Sequence, residues 1–322
     1  MTLTSSSKER HRLISFAGAL ILLLCSPVAH AVAQREANTQ ATAAVSRSLQ
    51  TTPAQSEGTA IIYGVKIHYV EAGSGPVVVL LHGLGGDATN WAFNIAQLAR
   101  KYRVIVPDQI GFGKSDKPLI NYRISTFVDF LDRFLKELKV ERASLVGNSM
   151  GGWVAAAYTI AHPEKVERVV LVDAAGFSFA PGFDTGQLIK LNPSTREGMK
   201  ELVSHVFYNK LIFMSDAFID ASMAARINAG DGHTIRSITE SIIRREDVLD
   251  NHLSVIKQPT LIIWGREDGL LPVSDGERFK KEIPNSQLIV FEQCGHVPQV
   301  EKAAEFNTAV LNFLAASAAT AK

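Results

Sequence analysis

Cysteine is scarce in this chain, with 2 in 322 residues, Cys25 and Cys294. Cys25 falls in an N-terminal segment expected to be removed, which leaves Cys294 alone and excludes an intramolecular disulfide in the remainder. An excess of charge of either sign is missing as well. Lys and Arg number 33 against 32 Asp and Glu, a formal charge of +1. No field exists to hold a polyanion, so no nucleic-acid partner is expected. Internal repeats and Cys/His pairs at metal-ligand spacing are also missing, which argues against a solenoid and against a zinc site. The long apolar run Leu13 to Leu24 has roughly twelve residues, short of the about 20 that cross a bilayer.

What surrounds that run gives it a different meaning. Lys8, Arg10 and Arg12 precede it, and Pro27 and small residues follow it, the order of an export signal over residues 1–33. Small residues suit cleavage after Ala31 or after Ala33. The expectation is an exported protein, periplasmic or secreted, with no stable transmembrane span after cleavage. A retained membrane anchor fits a run this short less well, and lipid attachment at Cys25 is opposed by the bulky Leu24 before it. Residues 34–57, rich in Ala, Thr, Ser and Gln, cannot bury enough apolar surface to offset the entropy of ordering and are read as a disordered spacer.

From Thr59 onward the pattern is that of a folded domain. Ala60 to Tyr63 and Lys66 to Glu71 around Gly64 predict an opening hairpin. Val77 to Leu81, Arg103 to Pro107, Ala143 to Val146, Arg168 to Val172, Thr260 to Trp264 and Gln287 to Phe291 are apolar, mostly β-branched runs suited to strands buried on both faces. Helical stretches alternate with them over Trp91 to Lys101, Ile124 to Leu138, Gly152 to His162, Ser274 to Ile283 and Ala303 to Ala316. The alternation predicts an α/β fold with a mostly parallel sheet covered by helices. It is interrupted over residues 177–257, where only helical windows occur, around Gln187 to Lys190, Gly198 to Val206, Asp216 to Asn228 and Ile235 to Arg244. These residues are read as a helical lid inserted between two strands, leaving 58–176 and 258–318 as the core.

The chemistry-bearing residues follow predicted strands. Gly147-Asn148-Ser149-Met150-Gly151 stands between the strand Ala143 to Val146 and the helix starting near Gly152, the setting of a serine held on a sharp turn at the sheet edge. A serine hydroxyl needs a base and a group that orients the base. Asp268 and His296 follow the last two predicted strands, Thr260 to Trp264 and Gln287 to Phe291, so Ser149, Asp268 and His296 are the expected catalytic residues. The backbone N–H of Met150, at a helix start, is a candidate oxyanion donor. Asn148 either shapes the turn or touches substrate, and Gly83, Gly85 and Gly86 allow a loop to approach the substrate closely. Asp173, after another strand, is the rival acid. Asp108, Ser115 and His82 are read as loop-holding residues and Cys294 as packing. His162, His205, His233 and His252 have no motif around them.

With these motifs, His82-Gly83-Leu84-Gly85-Gly86 and Asp108-Gln109-Ile110-Gly111-Phe112-Gly113-Lys114-Ser115-Asp116, the chain resembles the α/β-hydrolase superfamily from about residue 59 to about 315. The resemblance implies the α/β-hydrolase fold, a twisted parallel sheet flanked by helices, and the backbone N–H of Leu84 as second oxyanion donor. It extends to two lid-bearing groups, secreted or periplasmic esterases and lipases and the hydrolases that cleave carbon-carbon bonds in ring-cleavage products of aromatics. Because esters are met outside the cell, export favours a carboxylic ester with an apolar group, which Phe177, Phe179, Phe183, Leu188, Ile189 and Leu191 would suit. The carbon-carbon reading stands second, with Arg196 or Arg226 as anion partners, and a non-catalytic binding protein third. No metal and no organic cofactor is implied.

Overall fold

The computed structural model describes residues 53–179 and 182–316. The expected leader and most of the expected spacer lie outside the described residues. Among those described, no helix is long and apolar enough to cross a membrane.

Eight strands form one sheet. They are β1 (Gln55–Ile62), β2 (Val65–Ala72), β3 (Val77–Leu81), β4 (Arg103–Pro107), β5 (Ala143–Asn148), β6 (Val166–Val172), β7 (Thr260–Gly265) and β8 (Ser286–Phe291). Their order across the sheet is β1-β2-β4-β3-β5-β6-β7-β8. The first two pairings, β1 with β2 and β2 with β4, are antiparallel, and the rest are parallel. The longer helices are α1 (Ile124–Glu137), α2 (Met150–Ala161), α3 (Arg196–Val206), α4 (Asp216–Ala229), α5 (Gly232–Ile243), α6 (Val273–Glu282) and α7 (Ala303–Ala315).

Alternating side chains of each central strand feed two separate apolar layers. Val79, Leu81, Leu145, Leu171 and Ile262 pack with residues of α1, α2 and α6. Val78, Leu80, Val146, Val170 and Ile263 pack on the other face with Trp91, Leu98 and the α7 residues Phe306, Val310 and Phe313. Burial on both faces explains why these strands read as unbroken apolar runs.

Two expectations need correction. Gln55, Ser56 and Glu57, placed in the spacer, belong to β1 and pair with Ala72, Glu71 and Val70. Their side chains are exposed, so the strand is made by backbone pairing that side-chain patterning does not register. The helix expected over Trp91 to Lys101 is instead a 3₁₀ turn, Ala88–Trp91, and one α-turn, Ile95–Leu98. Asp87 caps the first through Thr89 N, and Asn94 starts the second; each is a residue that favours a boundary over a helix interior.

Between β6 and β7 the described residues contain helices and no strand. Part of this insertion has its own small core, Met199, Val203 and Ile219, covered by Phe207, Phe213 and Phe218. Another part, including Ile235 and Ile238 of α5, packs into the main core. The backbone fastens the carboxyl end of α3 to the sheet's carboxyl edge: Gly269 N donates to His205 O at 3.1 Å and His296 N to Val206 O at 2.7 Å. The Glu301 carboxylate accepts from Gly295 N on one side and from Tyr208 and Asn209 N on the other.

Candidate active site

Parallel strands deliver their carboxyl ends to one edge, and the singled-out residues follow those ends. β5 stops at Asn148 and α2 begins at Met150, leaving Ser149 between them with φ 56° and ψ −119°. This is a left-handed conformation that a non-glycine residue adopts only when its surroundings enforce it. Here Ser149 N donates to Val172 O at 2.9 Å, and Ser149 O accepts from Gly152 and Ala175 N. A side chain cannot replace either flanking glycine. A Cβ on Gly147 would stand 2.2 Å from Gly151 O, and one on Gly151 2.2 Å from Leu81 O.

Asp268 lies beyond β7 with its side chain fully buried, and its Oδ2 is 2.7 Å from His296 Nδ1. Its Oδ1 accepts from Leu270 N at 2.7 Å and Leu271 N at 3.1 Å. The carboxylate is thus held by donors on both oxygens, and it fixes the orientation of an imidazole that is almost fully buried. Ser149 Oγ makes no hydrogen bond to His296 among the described residues, although the two loops are tied: Asn148 Nδ2 donates to both Val172 O and His296 O at 3.1 Å. Nucleophile-to-base hydrogen bonds commonly tighten only with substrate in place. Of the two roles weighed for Asn148, these contacts are those of the turn-shaping one: its buried Nδ2 joins the serine turn to the histidine loop.

The loop after β3 closes over the turn. A Cβ on Gly83 would stand 3.1 Å from Ser149 Cβ, so the glycine allows this approach. The N–H groups of Leu84 and Met150 donate to no protein acceptor among the described residues, which leaves both available beside Ser149. His82 sets the loop's course. Its Nε2 accepts from Gln109 N at 3.0 Å, so the ring proton is on Nδ1 and donates to Gly83 O at 2.8 Å. Burial lowers the pKa of this imidazole, in keeping with a neutral ring. Asp108 accepts from Ala88 N and Lys114 N, and Ser115 Oγ donates to Asp108 O; both hold loop geometry. Cys294 is fully buried, and burial pushes its thiol well above its ordinary range, in keeping with a packing residue.

Two further residues are brought here by the fold. Asp173, at the end of β6, is fully buried, and its Oδ1 accepts from Gly265 N at 2.9 Å. Burial, and then the adjacent Asp268 charge, raise its carboxyl far above the usual range. Asp173, Asp268 and His296 place donor atoms within 4.8 Å of one another. The 2.7 Å between His296 and Asp268 is the spacing of a shared proton, whereas two ligands on a tetrahedral zinc stand about 3.3 Å apart. From α4 comes Arg226, with only 11% of its side chain exposed and Nη2 against the carboxylate of the buried Asp231. Its Nη1 overhangs the loop after β3, where a Cβ on Gly85 would be 2.8 Å away. Arg196 is placed elsewhere, engaged by Asp216 and Asp220 on the exposed face of the insertion.

Residues 76–303 match the protein family described as alpha/beta hydrolase fold. The chain belongs to the α/β-hydrolase family. Among its relatives, this α/β hydrolase is 35% identical over 269 residues to the 2-hydroxymuconate semialdehyde hydrolase of Pseudomonas sp. (strain CF600), a match that covers 81% of this chain and 94% of the relative. It is similar in structure to the meta-cleavage product hydrolase from Pseudomonas fluorescens IP01, with a TM-score of 0.72 at 31% identity over 80% of this chain and 97% of the other. It is also similar to a membrane phospholipase A described as a bacterial virulence factor, with a TM-score of 0.73 at 29% identity over 89% of this chain and 94% of the other. Homology therefore places the chain among α/β hydrolases whose named members include carbon-carbon bond hydrolases, and it gives the ester reading support only at the level of the fold.

Sequence reasoning weighed Asp173 and Arg226 without finding their positions, and it missed Glu301. Asp173 offered one signal, a carboxyl directly after a buried strand. The direction of Arg226 and the bridging by Glu301 depend on how the insertion folds back, which no local pattern encodes.

Proposed function

We propose that this α/β hydrolase cleaves a carbon-carbon bond next to a ketone in a carboxylate-bearing dienoate of the meta-cleavage-product type, with Ser149 as nucleophile, His296 as base and Asp268 as its partner. The helical insertion serves as a lid over the site. The observation that carries the substrate class is Arg226. A mostly buried guanidinium, with Nη2 against Asp231 but without a hydrogen-bond partner and with its Nη1 over Gly85, is a costly feature for a site that receives a neutral ester and a fitting one for a carboxylate. Burial pulls the guanidinium below its ordinary pKa, and an incoming anion offsets that penalty. The names of relatives that act on 2-hydroxymuconate semialdehyde and on meta-cleavage products point the same way. The carbon-carbon reading thus moves ahead of the ester reading that export favoured.

With the carboxylate on Arg226, the ketone reaches Ser149. His296 takes the hydroxyl proton as Oγ attacks the carbonyl carbon, and the oxyanion is held by the N–H groups of Leu84 and Met150, each worth about 3 kcal/mol. Collapse of the tetrahedral adduct breaks the carbon-carbon bond, its electron pair passes to the dienoate fragment, and the imidazolium returns the proton to that fragment's carbon. Water, deprotonated by His296, then releases the acid from Ser149.

The test is a parallel assay of p-nitrophenyl esters of short and long acyl chains and a ring-cleavage dienoate, with wild-type protein and Arg226→Gln. The dienoate is expected to be the better substrate. Arg226→Gln should raise its KM by about tenfold to a hundredfold while leaving KM for the neutral esters within about twofold. Turnover of the esters alone would refute the carbon-carbon reading and return the ester to first place.

A further inference from the structure

Asp173 is a titratable group that the reaction just described does not use, yet it sits beside the group that orients the base. It is fully buried at the end of β6. Its backbone is in the left-handed region with φ 42°, a conformation maintained only where surrounding contacts fix it. Two of those contacts are its own N–H donating to Ile263 O at 2.9 Å and its Oδ1 accepting from Gly265 N at 2.9 Å. Its Oδ2 is buried and receives no donor from any described residue. A buried acceptor without a donor is unfavourable, but an oxygen that carries a proton is itself a donor.

The acceptor for that proton is at hand. Asp173 and Asp268 place carboxyl oxygens within 4.8 Å of each other and of the His296 ring. Asp268 has donors on both oxygens, Leu270 N and Leu271 N on Oδ1 and His296 Nδ1 on Oδ2, whereas Asp173 has one donor in all. Between two carboxyls that cannot both ionise in a buried site, the one with fewer donors retains the proton. Other charged or titratable groups bear on the pair. Glu301 adds negative charge beside Asp173, and Asp275 of α6 adds it beside Asp268. Cys294, Glu267 and Lys302 lie on the histidine-loop side.

We propose that Asp173 is the neutral member of a carboxyl pair, its Oδ2–H donating to Asp268, and that it is a positioning residue acting on His296 through Asp268. The donated hydrogen bond draws charge from Asp268 and so limits how strongly Asp268 stabilises the imidazolium. No covalent step is involved, and the proton stays on Asp173 throughout. The inference rests on the Ser149, His296 and Asp268 assignment and is independent of which bond is cleaved.

Two readouts test it in the full chain. The first is the pH dependence of fluorophosphonate labelling of Ser149, which needs an activated serine and no particular substrate. Asp173→Asn keeps both an acceptor for Gly265 N and a neutral donor for Asp268. Its labelling rate should stay within about threefold of wild type, with the acid limb unmoved. Asp173→Ala removes the donor, and its acid limb should move to higher pH by about half a unit, a roughly twofold loss of rate at the wild-type midpoint. If Asp173 were ionised in the native protein, Asp173→Asn would delete a negative charge beside His296 and the limb would move to lower pH; that result overturns the proposal.

The second readout is the infrared carbonyl band of a protonated aspartic acid at neutral pH, with carbon-13 aspartate to assign it. The band is expected in wild type, retained in Asp275→Asn and lost in Asp173→Asn. Its absence from wild type overturns the proposal even if the Asp173 variants fail to fold. Failure of wild-type protein to label at all, with the band present, would instead count against the serine assignment.

Discussion

Ser149 meets two requirements that conflict. Exposing its hydroxyl at the sheet edge demands a turn with φ 56° and ψ −119°, and an L-residue in that conformation is strained by the order of 1–3 kcal/mol. The two effects separate by substitution. Ser149→Ala keeps the strain and removes the oxygen, so it should fold and lose roughly 10⁴- to 10⁶-fold in kcat. Ser149→Gly removes both, and urea titration should show it about 1 kcal/mol more stable than Ser149→Ala, because glycine tolerates this conformation. Equal midpoints would mean that the strain is relieved elsewhere. At this scale the sequence was informative where chemistry depends on neighbours in the chain. Gly147 to Gly151 form a local turn whose glycines are dictated by clashes within it and with β3, and Asp268 and His296 each follow a strand of the same sheet. It was uninformative for Asn148, because the same amide group serves equally well to touch a ligand or to bridge two carbonyls, and only the packed structure shows the bridge.

The insertion behaves as an element with its own core. Met199, Val203 and Ile219 are buried together under Phe207, Phe213 and Phe218, and they join the main body through the hydrogen bonds around residues 205–209 and through α5. Ile219→Ala, at a site 1% exposed, removes enough packing to cost about 2–4 kcal/mol. Because that packing lies within the insertion, the loss should appear as faster hydrogen exchange over α3 and α4, with protection of β5, β6 and β7 retained. Uniformly faster exchange across the sheet would show that the insertion and core unfold as one unit. The helices here were legible from apolar spacing, and the mostly parallel character of the sheet followed from strand alternation, whereas the place of β4 between β2 and β3 did not. The outward strand residues Gln55 to Glu57 and the short turns around Trp91 were not, since an exposed strand is defined by its partner's backbone and a one-turn helix by its caps.

Acidic groups of two kinds tie the whole molecule's stability to pH in opposite directions. Burial alone would raise the Asp247 carboxyl, yet the Arg123 guanidinium, at 2.6 and 2.9 Å, and Ser125 N, at 2.9 Å, outweigh it and hold that carboxyl below the ordinary range. The ion pair joins the start of α1 to the chain after α5, linking core to insertion. A carboxyl depressed in the folded state contributes stability that is present above its unfolded pKa and is lost as pH falls through the folded value. Asp247→Asn should therefore be less stable than wild type at neutral pH, by about 1 kcal/mol given the half-exposed arginine, with the gap closing in acid. Asp173 has the opposite sign. Burial and the Asp268 charge raise its carboxyl in the folded state, so the folded chain retains a proton that the unfolded chain releases, and stability falls as pH rises from the ordinary aspartate range toward the folded value. Asparagine at that position does not titrate. The stability of Asp173→Asn relative to wild type should therefore increase as pH rises through that window, opposite in slope to Asp247→Asn, in urea titrations of the three proteins across the same buffers. Parallel curves for Asp173→Asn and wild type would mean that Asp173 carries the same charge folded and unfolded, a result at odds with a carboxyl enclosed beside Asp268.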